Sequence, residues 1–457
     1  MNYPFDPKFL LAAAVAIPIL LFFGFATFWM VGWEPKERRL ANVTAIGFSV
    51  SCMLTILFAI ELVLSGQKHF TAEFGVWFRS GEYSFPLTLF VDRLSLPLLT
   101  LTTILAGVIG SFSRQYLHNE RGFFRFFLLL QLFAFGAMLV FSAGNFDLLL
   151  GGWELVGISS VLLIAFFHER TEPVRNALRV FAFYRIADLG LLLGIFFLHH
   201  IAGSTSCIEL FRGEWPAQSS QIGLGSATAL GLLFLLAASG KSAQIPFCSW
   251  LPRAMEGPTP SSAIFYGAIS VHMGAYLLLR AQPILAVSPI AAGVTILVGA
   301  LTAALGTLSH RVATDAKGSL AYASMTQLGI IFVEIGCGFS WLAIFHIIGH
   351  AVLRTLQFLR APSVLNDYHH MHAAAGGQLP DTGKHYDFFV PKPVQIWLYR
   401  MGLERGYLDA FIDRFIVNAV LKVSRGLGFT EVRSSIKLET KETNPATVAR
   451  VAGGLDA

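Results

Sequence analysis

The chain has 457 residues, 54% of them hydrophobic and 13% charged, with a formal net charge of +5 and a mean hydropathy of +0.62. That balance is too apolar for a soluble domain of this length, places the chain among polytopic membrane proteins and gives no nucleic-acid-binding character. The apolar runs are continuous rather than alternating, which excludes a β-barrel and gives an all-α fold class.

A crossing needs ~20 apolar residues. Eleven stretches qualify, at roughly 9–32, 42–65, 90–112, 124–142, 145–167, 177–201, 226–250, 259–281, 286–308, 318–337 and 340–360. The first run lacks a small-residue cleavage site and is expected to be a retained helix rather than a signal peptide. Basic residues concentrate in alternate connections: Lys36, Arg38 and Arg39; Arg114, Arg121 and Arg125; Arg170, Arg175 and Arg179; Arg253; Arg311 and Lys317. The other connections carry only Lys68 and Arg79, then Arg212, then Arg280 at an edge. The positive-inside rule therefore puts the N-terminus outside and the C-terminus in the cytoplasm of a cell whose inner membrane holds the chain. The loop at 65–86 alternates apolar and aromatic residues around a Ser-Gly turn, which suggests either a short outer hairpin or an irregular loop.

The seventh run carries the strongest local signal. Residues 240–262 read GKSAQIPFCSWLPRAMEGPTPSS, with Lys241 at the end of an apolar run and Pro246, Pro252, Pro258 and Pro260 behind it. Proline removes a backbone donor, so a broken seventh helix is expected, tolerated only if the freed polar groups are buried in protein or line a wet cavity. The competing reading is a helix–loop–helix whose Lys241 reaches the interface. Other ionisable residues within the spans are few, and each is costly unless paired or hydrated. Glu154 lies in GGWELVG, and Arg185 and Asp188 lie three residues apart in FYRIADLG. His272, Glu334, His346, His350 and Arg354 follow, the last three spaced by four on one helix face. Arg185 and Asp188 can also be read as a mutually neutralising pair, His272 as a satisfied core histidine, and Glu334 as interfacial.

After Arg360 no run is long enough to cross. Residues 369–393 read as a linker, and its His369, His370 and His372 lack metal-ligand spacing elsewhere. Residues 394–427 repeat apolar positions every three or four residues among basic ones, as an amphipathic basic helix on a membrane or partner would. Tyr407, Asp409, Phe411, Arg414 and Phe415 are its candidate partner-docking residues. The final ~25 residues are polar and expected to be mobile. Cys52, Cys207, Cys248 and Cys337 show no pairing, so no metal site, disulfide framework or bound cofactor is expected in this chain. The organisation expected is 1–115 for the first three helices, 116–281 for a first five-helix repeat, 282–360 for a shortened second repeat and 361–457 for a cytoplasmic tail.

Five segments carry a resemblance: GGWELVGISSVLLIAFF, ALRVFAFYRIADLGLLLGIFF, GKSAQIPFCSWLPRAMEGPTPSSA, LAYASMTQLGIIF and AIFHIIGHAVLRTLQFL. In this order, over roughly 90–360, they resemble the antiporter-like, proton-conducting subunits of respiratory complex I, subunit L above all, and the related cation/proton antiporter subunits. The resemblance implies that Glu154 pairs with Lys241, that Arg185 and Asp188 tune that pair, and that His346 and His350 bring protons to it. Two positions depart from the pattern. Tyr266 stands where the family has a helix-eight histidine, and Arg354, which cannot relay a proton by losing one, stands where a lysine is usual. The family's second broken helix with its lysine, and its long lateral helix, find no counterpart in this chain. The tail segment RGYLDAFIDRFIVNAVLKVSRGL resembles the amphipathic connection before the last helices of subunit L.

A resemblance to the membrane subunit of Dab-type inorganic carbon systems implies a hetero-oligomer whose ion flux energises a soluble cytoplasmic zinc protein similar to a β-carbonic anhydrase. The zinc, and any catalysis of CO2 hydration, would then belong to the partner, with no catalytic residue here. A divergent subunit L or antiporter subunit is the alternative, and a non-conducting membrane anchor for a soluble enzyme is the third reading.

Overall fold

A computed structural model describes residues 6–33, 35–81, 83–213, 215–216, 222–361, 389–412, 414–415 and 422. Two compact units are present, 1–403 and 404–457. His369, His370 and His372, the expected linker as far as residue 388 and the final polar residues lie outside the described residues, and the last two linker residues, Lys392 and Pro393, begin a helix instead.

Eleven helices of the first unit are long and apolar enough to cross a membrane. They are α1 (Pro7–Met30), α2 (Glu37–Leu64), α3 (Ser95–Tyr116), α4 (Phe123–Ser142), α5 (Phe146–Ile164), α6 (Thr171–Ala202) and α7 (Leu224–Lys241), then α8 (Thr259–Arg280), α9 (Pro289–Val312), α10 (Ala316–Gly336) and α11 (Ser340–Arg360). The chain is thus an all-α polytopic membrane protein. Side-chain caps start several of these helices by satisfying backbone donors that have no partner within the helix. Asn145 accepts from Leu148 N–H at 2.7 Å, Ser288 from Ala291 N–H at 3.1 Å and Asp315 from Gly318 N–H at 2.6 Å.

Every residue of α8 is buried, and α3, α5, α7, α10 and α11 pack against it. Close approach of α6 to α7 depends on missing side chains. A Cβ at Gly190 would fall 2.4 Å from the Leu233 carbonyl oxygen, and one at Gly240 would fall 2.1 Å from Ala187 Cβ. Small residues let helix backbones approach within a membrane, where dispersion replaces the hydrophobic effect as the driving force.

The loop after α2 is a hairpin, β1 (His69–Ser80) and β2 (Tyr83–Asp92), paired antiparallel from His69↔Asp92 to Ser80↔Tyr83. It is longer than the stretch at 65–86 suggested. Its last residues, Leu89 to Asp92, are buried among the helices, and Leu89 bridges to Ala143.

The chain around the proline-rich segment differs from a seventh helix that breaks and resumes. α7 ends at Lys241, residues 242–249 run in turns, and a single helical turn, Trp250–Arg253, follows. Among the described residues no second half-helix resumes before α8. The larger irregularity is in α8 itself, where a π-helical turn at Ala263–Ala268 and a 3₁₀ turn at Ser270–His272 interrupt the α-helix. The physical reason is visible in the hydrogen bonds, because neighbours rather than a second helix satisfy the polar groups at the turn. Ser242 Oγ donates to the Val271 carbonyl at 2.5 Å, Trp250 Nε1 to the Gly240 carbonyl at 2.9 Å, and Ile245 N–H to Thr302 Oγ1 at 3.0 Å. Lys317 Nζ clamps the following turn through the carbonyls of Met255 and Gly257, at 3.2 and 2.9 Å.

α12 (Lys392–Leu403) packs on α9, where Ser309 Oγ donates to the Gly402 carbonyl at 3.1 Å. The expected single helix over 394–427 is interrupted. Arg405, Gly406 and Tyr407 adopt positive φ of 52°, 67° and 57°, which a continuous α-helix cannot contain. In the second unit α13 (Leu408–Ile412) follows, with an Arg405–Asp409 ion pair at 3.2 Å. Tyr407, Phe411 and Phe415 are exposed, and Arg414 lies over the Phe415 ring.

Candidate functional site

Lys241 is fully buried at the C-terminus of α7. Its ammonium lies 4.1 Å from the Tyr184 ring centroid and 5.4 Å from that of Trp153, and it has no hydrogen-bond partner among the described residues. Aromatic faces attract a cation but do not replace the donors' lost water, so this ammonium sits in a strained electrostatic position. The readings of Lys241 as an interfacial lysine and as a lysine inside the bundle are thereby separated: it is inside.

Glu154 does not pair with Lys241. Its carboxylate is taken by Arg185, which also donates to Asp188 Oδ2 at 2.8 Å. Trp153 Nε1 donates to the other Asp188 oxygen at 2.6 Å. The cause is reach: the long guanidinium of α6 spans both carboxylates, while the Lys241 ammonium is drawn into the Tyr184 and Trp153 rings. Lys241 still experiences Asp188 and Glu154 as attracting charges and Arg185 as a repelling one. The Arg185 and Asp188 pair is therefore not self-contained, since Glu154 competes for the same guanidinium. The Glu154 and Arg185 side chains are 36% and 39% exposed, so this ion pair lies at the lateral surface while Lys241 lies behind it.

Gly157 completes the Lys241 pocket. A Cβ there would fall 2.7 Å from Lys241 Nζ, so the lysine's position requires its absence. The clash is with the tip of a flexible side chain, which can move at little cost to folding. Gly157→Ala is expected to leave the purified yield and thermal stability near native while displacing the ammonium, and to cut ion flux about tenfold if each displaced ångström weakens proton exchange as misplacement does elsewhere. Native flux from a well-folded Gly157→Ala protein counts against a precise Lys241 position.

A second group forms between α8, α10 and α11. His272 Nδ1 lies 2.9 Å from the Ala268 carbonyl, and its Nε2 lies 2.8 Å from His350 Nδ1. A carbonyl only accepts, so His272 Nδ1 carries a proton; between neutral rings His350 Nδ1 then donates to His272 Nε2. His350 Nε2 is left as a buried lone pair with no partner among the described residues. His272 is therefore more than an isolated core histidine. His346 bonds Glu334 Oε1 through Nδ1 and Gln327 Oε1 through Nε2, each at 2.9 Å. Glu334 is thus paired rather than loose at an interface. Arg354 donates to Gln357 Oε1 at 2.9 Å and not to the histidines. The hydroxyl of buried Tyr266 has no hydrogen-bond partner among the described residues, and its ring packs 5.6 Å from that of Trp250. Lys241 and the histidines make no hydrogen bond to each other among the described residues. Those residues also contain no group of three or more His, Cys, Asp or Glu that could hold a metal ion.

Two polar clusters were not legible from local patterns. Arg280 donates to both Asp92 oxygens, at 2.6 and 3.0 Å, tying the end of β2 to the end of α8. Asp147 receives Tyr83 Oη at 3.2 Å, His199 Nε2 at 3.3 Å and Thr205 Oγ1, joining β2 to the start of α5 and the end of α6. Neither cluster is a sequence motif, since Asp92 and Arg280 stand 188 positions apart. The signal available was only an aspartate or arginine at the edge of an apolar run.

Residues 143–378 match the family described as "NADH:quinone oxidoreductase/Mrp antiporter, TM", and residues 77–127 match "NADH-Ubiquinone oxidoreductase (complex I), chain 5 N-terminus". The NADH-quinone oxidoreductase subunit L of Neisseria meningitidis serogroup B is 32% identical over 337 residues, covering 72% of this chain and 50% of that protein. That of Escherichia coli K12 is 30% identical over 361 residues, covering 79% of this chain and 58% of the relative. A chain in the structure of the Mrp complex from Dietzia sp. DQ12-45-1b superposes with a TM-score of 0.64 at 26% identity, covering 76% of this chain and 37% of that one. The chain spans about half the length of the curated relatives it matches. With its eleven spans in place and more than half its length matched, the chain belongs to the antiporter-like membrane-subunit family of complex I subunit L and the Mrp antiporters.

Proposed function

We propose that the chain conducts protons across the membrane as one subunit of a heteromeric complex of the complex I or cation/proton antiporter type. The observation that carries the reading is the buried, unpartnered Lys241 ammonium beside a carboxylate pair held by Arg185. A buried ammonium whose N–H groups find no acceptor is held by neighbouring charge alone, and carboxylates that can be shared with or withheld from it would set when it exchanges its proton. Protons would arrive through His346, His350 and His272; His350 and His272 are hydrogen-bonded to each other, His346 is bonded to Glu334 and Gln327, and water would bridge His346 to His350 and the histidines to Lys241. Glu154, Arg185 and Asp188 would modulate the loaded lysine. The alternation of basic loops supports an N-terminus outside and a C-terminus in the cytoplasm of an inner membrane.

A second reading, flux coupled to inorganic carbon accumulation, has in its favour the exposed Tyr407, Phe411, Arg414 and Phe415 of the second unit, a surface suited to a soluble partner. Zinc would belong to that partner. The deciding experiment is affinity purification from native membranes, followed by reconstitution and measurement of proton flux. Quinone-reducing or further antiporter-like subunits in the eluate support the first reading. A soluble zinc protein supports the second. Purified complex with no flux under any imposed gradient leaves only the anchoring role.

A further inference from the structure

A cleft of ≈ 390 Å³ opens at the hairpin end of the helices, lined by residues of both strands, by Asn145 at the start of α5 and by the segment that follows α6. Glu73 and Glu209 lie on its wall, and so does His199. Behind His199 lies Asp147, whose side chain is 9% exposed against 26% for the histidine. The order from solution inward is thus acidic mouth, imidazole, buried carboxylate. Like-signed charge at a mouth concentrates cations there.

Asp147 and His199 also stand in register with the candidate site. Along α5, Asp147 and Glu154 are separated by seven residues, two helical turns or about 10 Å, and share a face. Along α6, Asp188 and His199 are separated by eleven residues, three turns or about 16 Å, and again share a face. The same two helices are bridged at two levels, by Trp153 with Asp188 and Glu154 with Arg185 near Lys241, and by Asp147 with His199 at the cleft. The polar bridges of this seam therefore come in two rungs, one deep and one at solution.

We propose that the Asp147–His199 pair is a proton-exchange site through which the conducting centre communicates with the solution on the hairpin side, along the α5–α6 seam. A hydronium in the cleft protonates His199 at Nδ1, the Nε2 proton passes to Asp147 Oδ2, and the carboxylic acid returns or forwards that proton through water in the seam. Only N–H and O–H bonds form and break, and the reverse sequence releases a proton. Tyr83 faces the same carboxylate, but burial, aided by the Asp147 charge, pushes its phenol up to about 12, so it donates a hydrogen bond and does not exchange. Glu73 and Glu209 from the cleft wall complete the charged groups around the pair.

This inference rests on the proposed conduction, and the test separates the two. The purified complex is reconstituted into vesicles, and proton flux is measured while the pH of each side is varied independently. Asp147→Asn and His199→Gln are expected to lower flux at least fivefold and to change its dependence on hairpin-side pH, with the opposite side's profile retained. Asp147→Glu is expected to restore most of the flux. Tyr83→Phe, which removes a hydrogen bond from the same carboxylate without removing an exchanging group, is expected to conduct within twofold of native. Folded Asp147→Asn with native flux and native profiles overturns the proposal. So does a Tyr83→Phe loss equal to that of Asp147→Asn, which assigns the cluster a purely structural role. Native flux in Lys241→Ala, by contrast, overturns the proposed conduction itself.

Discussion

Lys241→Ala is expected to reduce proton flux about 100-fold, the scale of losing a positioned proton-transfer group, while the protein folds at native yield. The two halves of that expectation have separate causes. Flux falls because the chain's only unpartnered ammonium among the described buried side chains is gone, and nothing else at the end of α7 exchanges a proton. Folding is retained because removing a buried charge that makes no hydrogen bond also removes its desolvation penalty. Thermal stability should hold or rise. Lys241→Arg sharpens the point. It keeps the positive charge beside Asp188 and Glu154 but cannot give up a proton at working pH, so flux is expected to fall as far as in the alanine variant. A conducting Lys241→Arg protein would show that the residue supplies charge alone. Glu154→Gln should act more mildly, because Arg185 keeps Asp188 as a partner at 2.8 Å.

The helices could be read from the sequence because membrane burial demands long apolar runs with every backbone group satisfied internally. The eleven spans follow from that rule, and Lys241, Glu154, Arg185 and Asp188 stood out because charge is costly within such runs. Partnership could not be read in the same way. Whether Glu154 meets Lys241 or Arg185 depends on side-chain reach between three helices, and a carboxylate's choice between two cations has no signature in spacing. The proline-rich segment shows a related limit. Proline marks where a helix stops, and α7 does stop at Lys241, but the number of regular turns that follow is set by which neighbours accept the freed donors. The π-helical turn of α8 left no composition signal, since AIFYGA is an ordinary apolar stretch. In the tail, apolar periodicity ran on through Arg405–Tyr407 because one glycine flanked by polar residues does not interrupt a pattern, although three successive positive φ values interrupt the helix.

Arg280→Met is expected to destabilise the folded protein by about 3–5 kcal/mol, the cost of leaving one member of a buried ion pair without its partner. Arg280 and Asp92 are 3% and 2% exposed, and the guanidinium also meets the Tyr276 hydroxyl at 3.1 Å and the faces of Phe90 and Tyr276. Asp92 further accepts from Leu94 and Ser95, so a single carboxylate fixes the end of the hairpin, the start of α3 and the end of α8. The pH dependence follows from the same geometry. Burial opposes the Asp92 charge, but Arg280 and the Ser95 donors outweigh it and hold the carboxyl below its ordinary value. A depressed folded-state value means that the unfolded chain takes up the proton first as pH falls. The stabilisation is therefore complete above the ordinary carboxylate range and is lost as acid protonates Asp92 in the fold. Thermal unfolding of the solubilised protein from neutral pH down through that range should show a native melting temperature that falls steeply. Arg280→Met starts lower and should fall less, having already lost the pair. Asp92→Asn should be destabilised like Arg280→Met, because it strands a buried guanidinium. The double variant, with neither charge, should recover part of the loss, since paired removal leaves no uncompensated ion. Additive losses in the double variant would mean that the two residues stabilise the fold through separate contacts, and the hairpin would then be held by its apolar residues, with Leu89, Phe90 and Val91 as its anchor.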